Sequence, residues 1–328
     1  MKIVLPGGSG QVGSILARAL HGDGHEVVVL SRRPAASDPP PWRVVAWDAA
    51  TLDGWVDELD AADAVINLAG RSVNCRYNRR NRAAITASRV DSTRLVGRAI
   101  AAVGRPPGVW LQMSTATIYA HRFDAANDEQ TGVLGGDEPD LPDTWRFSLD
   151  VAGAWEGAAR DAVVPDTRRV LLRSAMVMSP DDGGVFDTLL RLVRFGLGGR
   201  AGSGRQYVSW IHEADFVRAV YHLIDDARIE GAVNLAAPHP LPNADFMREL
   251  RRAWGAPLGL PANRWMLEVG ALLLRSETEL VLKSRRVVSR RLAESGFTFS
   301  LPEWRDAARE LCDRWRCSHQ ARAVAAVS

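Results

Sequence analysis

The chain has 328 residues, 46% hydrophobic and 24% charged, with a formal net charge of +2. That composition supports one large or two modest globular domains, and the charge is too small to make nucleic acid or an anionic membrane the main partner. Three cysteines, Cys75, Cys312 and Cys317, form no disulfide framework and suit a reducing compartment. The first predicted strand starts at residue 2 and no apolar stretch could span a bilayer. The expectation is therefore a cytoplasmic protein, monomer or homodimer, with no membrane partner.

Lys2-Ile3-Val4-Leu5 opens the chain as a buried strand and runs into Pro6-Gly7-Gly8-Ser9-Gly10-Gln11-Val12-Gly13. A helix over 14–20 follows, with Ile15, Leu16, Ala19 and Leu20 apolar, then a second strand over 26–30. Strand, glycine loop, helix and strand in this order make the βαβ unit that holds a dinucleotide. Gly8 is expected to allow the tight turn, Gly10 to let the pyrophosphate approach, and Gly13 to let helix and strand pack. The helix N-terminal amides then face the phosphate charge. An NAD site wants a carboxylate after the second strand; here stand Ser31-Arg32-Arg33, which suit the 2′-phosphate of NADP.

Residues 34–41 are proline-rich and read as a loop. A third strand over 42–46 precedes Asp48, a candidate for an adenine contact. A fourth, over 64–70, ends at the ligand-binding carboxyl edge of the sheet, which makes Leu68, Ala69, Gly70 and Arg71 cofactor-facing candidates. Residues 71–94 carry seven arginines; without interleaved aromatic residues they read as a solvated helix face rather than a nucleic-acid patch. The helix is expected over 78–103, with Ile85, Val90, Leu95 and Ile100 inward.

A fifth strand over 109–113 leads into Ser114-Thr115-Ala116-Thr117-Ile118-Tyr119, and residues 121–144 form a long polar loop. A helix over 145–162 and a sixth strand over 169–174 complete an alternation that predicts an α/β fold with a doubly wound parallel sheet. Beyond about 180 come a helix over 186–195, a glycine-rich loop 196–204, a strand over 208–211, a helix over 213–223 and a last sheet strand over 232–235. Asn243 is expected to cap a helix over 245–254, and Ser276 with Glu279 to form a capping box. The remainder to 315 reads mainly as helix, and 316–328 as a frayed tail. Cys312, Cys317 and His319 lie near one another, but a terminal tail is a poor metal site and none is expected.

The glycine motif, Asn67-Leu68-Ala69-Gly70, Ser88-Arg89 with Ser92-Thr93, and Gly202-Ser203-Gly204-Arg205-Gln206 are joined by further pieces downstream. These are Ser209-Trp210-Ile211-His212 with Asp215, Val233-Asn234 with Ala237-Pro238, Leu282-Lys283-Ser284 with Arg286-Val287, and Gly296-Phe297. Together, over about residues 1–312, they resemble an extended short-chain dehydrogenase/reductase, most of all its epimerase-like atypical members with a small C-terminal domain of unknown function. The resemblance implies a Rossmann domain over 1–180, with strands also from about 205–236, and a smaller, mainly helical substrate domain over 181–315.

In that superfamily a Ser/Thr, a Tyr and a Lys move the proton while a nicotinamide cofactor moves hydride. Carried over by motif, Thr115 is the hydroxyl residue. Counting back from Glu156 in Ala-Trp-Glu, the tyrosine position holds Ser148 and the lysine position Ala152. No Tyr-x-x-x-Lys exists in the chain: four residues after Tyr77, Tyr119, Tyr207 and Tyr221 stand Asn81, Phe123, Ile211 and Asp225. Only two of the 41 basic residues are lysine, Lys2 and Lys283. Tyr119, His121 and Ser148 are the candidate replacements, with Asp150 expected to face away and His212 to be a core residue. Arg205 and Arg173 are candidates for holding an anionic group, with bracing of the sixth strand the alternative for Arg173. The function expected is that of an NADP-dependent oxidoreductase or epimerase acting on a small polar molecule with a non-standard acid/base group. The alternative is an NADP(H)-binding sensor without turnover.

Overall fold

The computed structural model describes residues 1–34, 39–263 and 279–325. Among them the chain alternates β1 (Lys2–Pro6), α1 (Gln11–Gly22), β2 (Glu26–Ser31), β3 (Arg43–Ala46), β4 (Ala64–Asn67), α2 (Arg79–Ala102), β5 (Val109–Thr115), α3 (Asp143–Arg160) and β6 (Arg168–Ser174). With β10 (Gly231–Leu235) these strands form one sheet in the order β10-β6-β5-β4-β1-β2-β3. Every pair from β6 to β3 is parallel. The order reverses between β1 and β4, which fixes the ligand edge at their carboxyl ends. Ile3, Val4 and Leu5 are fully buried, so β1 is an unbroken apolar run, as expected of a central parallel strand covered on both faces.

The helices bury one stripe each. In α1 the buried residues are Gly13, Ile15, Leu16, Ala17 and Leu20, spaced at three and four. The N-terminus of α2 is capped by Asn78, whose side chain accepts from the Asn81 amide at 2.9 Å. Ile85, Val90, Leu95 and Ile100 are all buried. Trp47, Trp55 and Trp110 fill one face of the sheet with residues from β1, β4 and α2.

Two compact units share the chain. The first takes Met1–Ile118, Gly135–Ser174 and Val217–Asn234; the second takes Tyr119–Leu134, Ala175–Phe216 and Leu235–Ser328. The sequence reading placed a boundary near 180 and brought strands back from about 205–236; in the structure the chain leaves the first unit after Ile118 and returns to it twice, at Gly135 and at Val217. In the second unit β7 (Met176–Met178) pairs in parallel with β9 (Trp210–His212), and β8 (Tyr207–Val208) pairs antiparallel with β11 (Leu241–Pro242). Its core gathers Phe186 and Leu190 from α4 (Val185–Arg194), Phe246 from α6 (Asn243–Trp254), and Trp304 and Leu311 from the helix Trp304–Ala325. Trp304 stacks on Phe246 at 4.0 Å and donates its Nε1–H to the Phe246 carbonyl at 2.9 Å.

Several local expectations are corrected. Asn243 is the first helical residue of α6 rather than its cap; its Oδ1 accepts from the Ala201 amide at 2.8 Å and pins the glycine-rich loop instead. Helix Trp304–Ala325 continues past Cys317, where the sequence reading expected fraying, and His319 stacks on Trp315 at 3.6 Å. Cys312 is buried in the core and burial pushes its thiol up to about 12. No metal-binding cluster occurs among the described residues. The capping box at Ser276 lies outside the described residues. No described helix is long and apolar enough to cross a membrane.

Candidate functional site

The loop from β1 to α1 shows why it needs glycine, and at which positions. Gly7, not Gly8, makes the tight turn: its φ is +75°, and a Cβ there would lie 2.6 Å from the Ala69 Cα. Gly8 is instead pressed onto β1, where a Cβ would meet the Leu5 side chain at 2.8 Å. Gly13 packs on Gly8, whose carbonyl oxygen would lie 2.3 Å from an added Cβ. Gly10 differs: a Cβ there would meet nothing nearer than the Gly7 oxygen at 3.8 Å. Its missing side chain leaves open space beside the start of α1.

That helix start suits an anion. Gly10 is the N-cap and supplies no side-chain hydrogen bond, and the first turn carries no acidic residue. The first amides of the helix thus keep their partial positive charge. The Gln11 Nε2 is buried without a hydrogen-bond partner among the described residues, a donor oriented by the fold and unused within it.

Three strand ends converge on this turn. The Gly7 amide donates to the Leu30 carbonyl at 3.0 Å and the Leu68 amide to the Pro6 carbonyl at 2.9 Å. The Ser31 hydroxyl reaches Ser9 Oγ at 3.2 Å and accepts from the Arg33 amide at 3.2 Å, so the turn that carries exposed Arg32 and Arg33 is tied to the glycine loop. Asp48 follows β3. Its carboxylate accepts from the amides of Thr51 and Ala50 and from the Thr51 hydroxyl, bonds that hold it down at about 2. Asp48 is therefore ionised at neutral pH, and its first bonds are to its own turn. Beyond β4, buried Asn67 donates to Gln112 Oε1 at 2.9 Å and accepts from the Ala69 amide at 3.1 Å. Arg71 is exposed and bonds Asn81.

The proton-relay positions are different in kind. Thr115 ends β5, half-buried, and its Oγ1 accepts from the Thr117 amide at 3.2 Å, an arrangement that leaves the hydroxyl proton for another acceptor. On α3, Ser148 is half-buried and Ala152 is fully buried, one helical turn apart. Asp150 is exposed. One turn beyond Ala152, Glu156 is 1% exposed and makes a bidentate pair with Arg173, at 2.8 and 2.9 Å, while accepting from Ser114 at 2.7 Å. Burial pushes the Glu156 carboxyl up, but the Arg173 bonds and charge outweigh it and hold the group below its ordinary value. Arg173 is therefore neutralised inside the fold and is not an anion holder.

The remaining candidates lie in the second unit. Tyr119 is buried and its backbone bridges to Leu134. The following loop is tied down: the Asn127 amide donates to the Arg286 carbonyl at 2.7 Å, and Val288 returns a bond to Asn127. His121 Nδ1 accepts from the Ser284 amide at 2.7 Å. In this bond Nδ1 is the acceptor, which places a ring proton on Nε2. His212 is a core residue, with Nε2 on Glu310 at 2.9 Å and Nδ1 accepting from Ala214. Arg205 is exposed beside buried Gln206.

One residue near the β4 edge escaped the sequence reading. Five of the seven arginines between 71 and 94 are exposed, as a solvated face requires, but Arg82 and Arg89 are half-buried. Arg89 stands four residues after buried Ile85 and three before buried Ser92. That spacing puts it on the inward stripe of α2, a signal present in the sequence.

A model of the NAD dependent epimerase/dehydratase family matches residues 3–236, and one of a domain of unknown function, DUF1731, matches residues 264–311. The bovine protein named Epimerase family protein SDR39U1 is 32% identical over 317 residues, 95% of this chain and 99% of that protein. The crystal structure of human epimerase family protein SDR39U1 (isoform 2) with NADPH is similar at a TM-score of 0.81 and 29% identity, over 95% of this chain and 99% of that one. UDP-N-acetylglucosamine 4-epimerase from Bacillus cereus, at 17% identity and a TM-score of 0.72 over 96% of both chains, shares the fold. On the family match and the bovine relative together, this chain belongs to the NAD dependent epimerase/dehydratase family.

Proposed function

We propose that this chain binds NADPH at the carboxyl edge of its sheet and acts as an oxidoreductase or epimerase on a small polar molecule, without a Tyr–Lys proton relay. The observation that carries the reading is the open face of Gly10 beside the uncapped start of α1. A diphosphate fits there as it would fit nowhere a side chain intruded. The human relative crystallised with NADPH supports the choice of cofactor, as do Arg32 and Arg33 after β2, whose guanidinium groups suit a 2′-phosphate.

When bound, the cofactor supplies or accepts hydride. The chain's own residues do the rest. The amides of Gln11, Val12 and Gly13 hold the diphosphate charge, the backbone of Leu68, Ala69, Gly70 and Arg71 flanks the cofactor, and the Thr115 hydroxyl donates to the substrate oxygen. Ser148 adds a second hydroxyl, and Ala152 adds no charge. A neutral hydroxyl with no cation beside it is a poor proton source, and a positioned acid is worth about 10²–10⁴ in rate. The substrate is therefore one whose oxygen gains little negative charge during transfer, or one that carries its own acid.

Calorimetry with NADPH and NADH tests the cofactor. Transfer of deuterium from C4-deuterated NADPH into products of a substrate panel then tests the chemistry. Tight NADPH binding with deuterium in a product supports the proposal, and a folded protein that binds neither dinucleotide ends it.

A further inference from the structure

Two arginines withdrawn from solvent in the first unit are compensated. Arg173 has Glu156. Arg168 gives its two Nη groups to the Leu223, Ile224 and Ile229 carbonyls, at the C-terminal end of helix Glu213–Asp225 and just beyond it, where the helix dipole favours a positive charge. Arg89 has neither. Its Nη1 donates to the carbonyls of Arg71 at 2.9 Å and Ile85 at 3.2 Å. Among the described residues Nε and Nη2 have no hydrogen-bond partner and no carboxylate pairs with the group. The guanidinium lies with its Cζ 5.0 Å from the Trp155 ring, and Trp155 is itself fixed by its Nε1–H bond to Thr93 at 3.0 Å. Burial pushes the Arg89 guanidinium down to about 10. Half-buried, with two nitrogens unused inside the fold and open to solvent, the guanidinium keeps donors available to an anion.

The location says which anion. A Cβ on Gly70 would lie 3.3 Å from the Arg89 Cζ, and a Cβ on Gly7 would lie 2.6 Å from the Ala69 Cα. Ala69 and Gly70 are consecutive, about 3.8 Å apart at Cα. The dipeptide after β4 thus touches the glycine turn with one residue and the arginine head with the next. Asn67 fixes this dipeptide by accepting from the Ala69 amide. The glycine turn and the arginine head therefore flank the same dipeptide, Ala69-Gly70, at the end of β4.

We propose that Arg89 is the counter-charge for the bridging diphosphate of the bound dinucleotide. The inference rests on the reading that the chain binds NADPH. The diphosphate is common to NADPH and NADH, so Arg89 serves both, whereas Arg32 and Arg33 serve the 2′-phosphate alone. Titration calorimetry with each dinucleotide, on wild type, Arg89→Gln, Arg89→Lys and Arg32→Ala, separates these roles. Arg89→Gln is expected to weaken NADPH and NADH alike, by roughly ten- to hundredfold, the worth of a charged hydrogen bond or two. Arg89→Lys should lose less, since it keeps the charge without the fork.

Melting without ligand supplies a readout that a structural role would move the other way. Arg89→Gln should leave the ligand-free Tm unchanged or raise it, while shrinking the Tm gain produced by NADPH. Wild type that binds with Arg89→Gln binding equally well overturns the role of Arg89 alone. Loss confined to NADPH overturns the diphosphate assignment, and a ligand-free Tm that falls in Arg89→Gln while affinity holds makes the residue structural. Wild type that binds neither dinucleotide takes down the cofactor reading itself.

Discussion

The glycine turn at 7–13 and the inner face of α3 at 148–152 are both expected from the family resemblance to serve the reaction, but they hold their function in different ways. In the turn, the proposed binding groups are backbone amides, and the glycines are demanded by contacts within the fold: Gly7 against Ala69, Gly8 against Leu5, Gly13 against Gly8. On α3 the function would belong to side-chain ends, and the helix needs none of them. Ala152 is fully buried and packs as any small helical residue packs, with the best helix propensity available. A cofactor cradle built from backbone persists as long as the fold does, whereas a relay built from side chains can be absent from a sound fold.

The largest expected effects come from breaking the turn. Gly10→Val should fold normally, since its Cβ meets only the Gly7 oxygen at 3.8 Å, yet reduce binding of either dinucleotide by at least about a hundredfold as its methyls take the diphosphate's place. Gly13→Ala should lose binding and stability together. Its Cβ would lie 2.3 Å from the Gly8 oxygen, and relieving that overlap costs about 1–3 kcal/mol. Calorimetry and urea unfolding on the two variants separate a position that serves the ligand from one that serves the fold.

On α3 the large effect lies one turn past Ala152, at Glu156. Glu156→Gln leaves Arg173 without its partner, and breaking such a buried pair costs about 3–5 kcal/mol. The folded pKa of Glu156 lies below its ordinary value, so its contribution is complete above the unfolded carboxyl pKa of about 4.3 and is lost as pH falls through the folded value. The gap in stability between wild type and Glu156→Gln should therefore be full at pH 7 and narrow below about pH 4. Urea titrations at both pH values would show it, and a gap that widened on acidification would reverse the assignment.

A smaller effect is expected at the adenosine end. Arg32→Ala should lower NADPH affinity about tenfold and leave NADH unchanged, because an exposed charge-assisted bond contributes only modestly. Equal loss for both dinucleotides would mean that Arg32 braces the turn after β2 rather than reading the 2′-phosphate.

What the sequence disclosed follows the same division. The strands and helices of the first unit are local patterns: β1 and β2 fall within a residue of the positions expected for them, and α1 starts three residues earlier and ends two later. The turn glycines were legible as a set, but which of them is left-handed was not, because φ at Gly7 depends on where Ala69 comes to lie. Arg173 left two readings open, anion holder or brace of β6, because the partner that decides for the brace, Glu156, sits on another element 17 residues away. Asn243 looked like a helix cap because its real partner, the Ala201 amide, is 42 residues off in sequence. Residues 121–144 read as a long polar loop, yet His121, Asn127 and Glu129 within it bond to 284–291, about 160 residues on in the sequence. Polar side chains that bridge distant segments are the part that periodicity does not encode.

The smallest expected effect is also the closest test of that division. If α3 lost only side-chain ends, the relay can be rebuilt without rebuilding the fold, by Ser148→Tyr with Ala152→Lys. Position 148 is half-buried and has room at its exposed side for a ring. Position 152 is fully buried, so a lysine there must extend its stem along the helix to bring its ammonium toward solvent or ligand, at about 1–3 kcal/mol of overpacking. The double variant should therefore melt lower than wild type and, at temperatures where it remains folded, gain no more than about tenfold in reduction of simple ketones or aldehydes with NADPH. That is well short of the 10²–10⁴ a fully positioned acid contributes, because neither side chain is held by neighbours that evolved around it. Ala152→Lys alone should carry the stability loss with no gain in rate, and Ser148→Tyr alone should carry little of either. Wild type that already turns over such substrates rapidly would show that another acid serves the site, and Thr115→Val would then separate its hydroxyl from that acid. A rebuilt variant that binds NADPH tightly and transfers nothing to any substrate would favour a protein that reads the cofactor over one that consumes it.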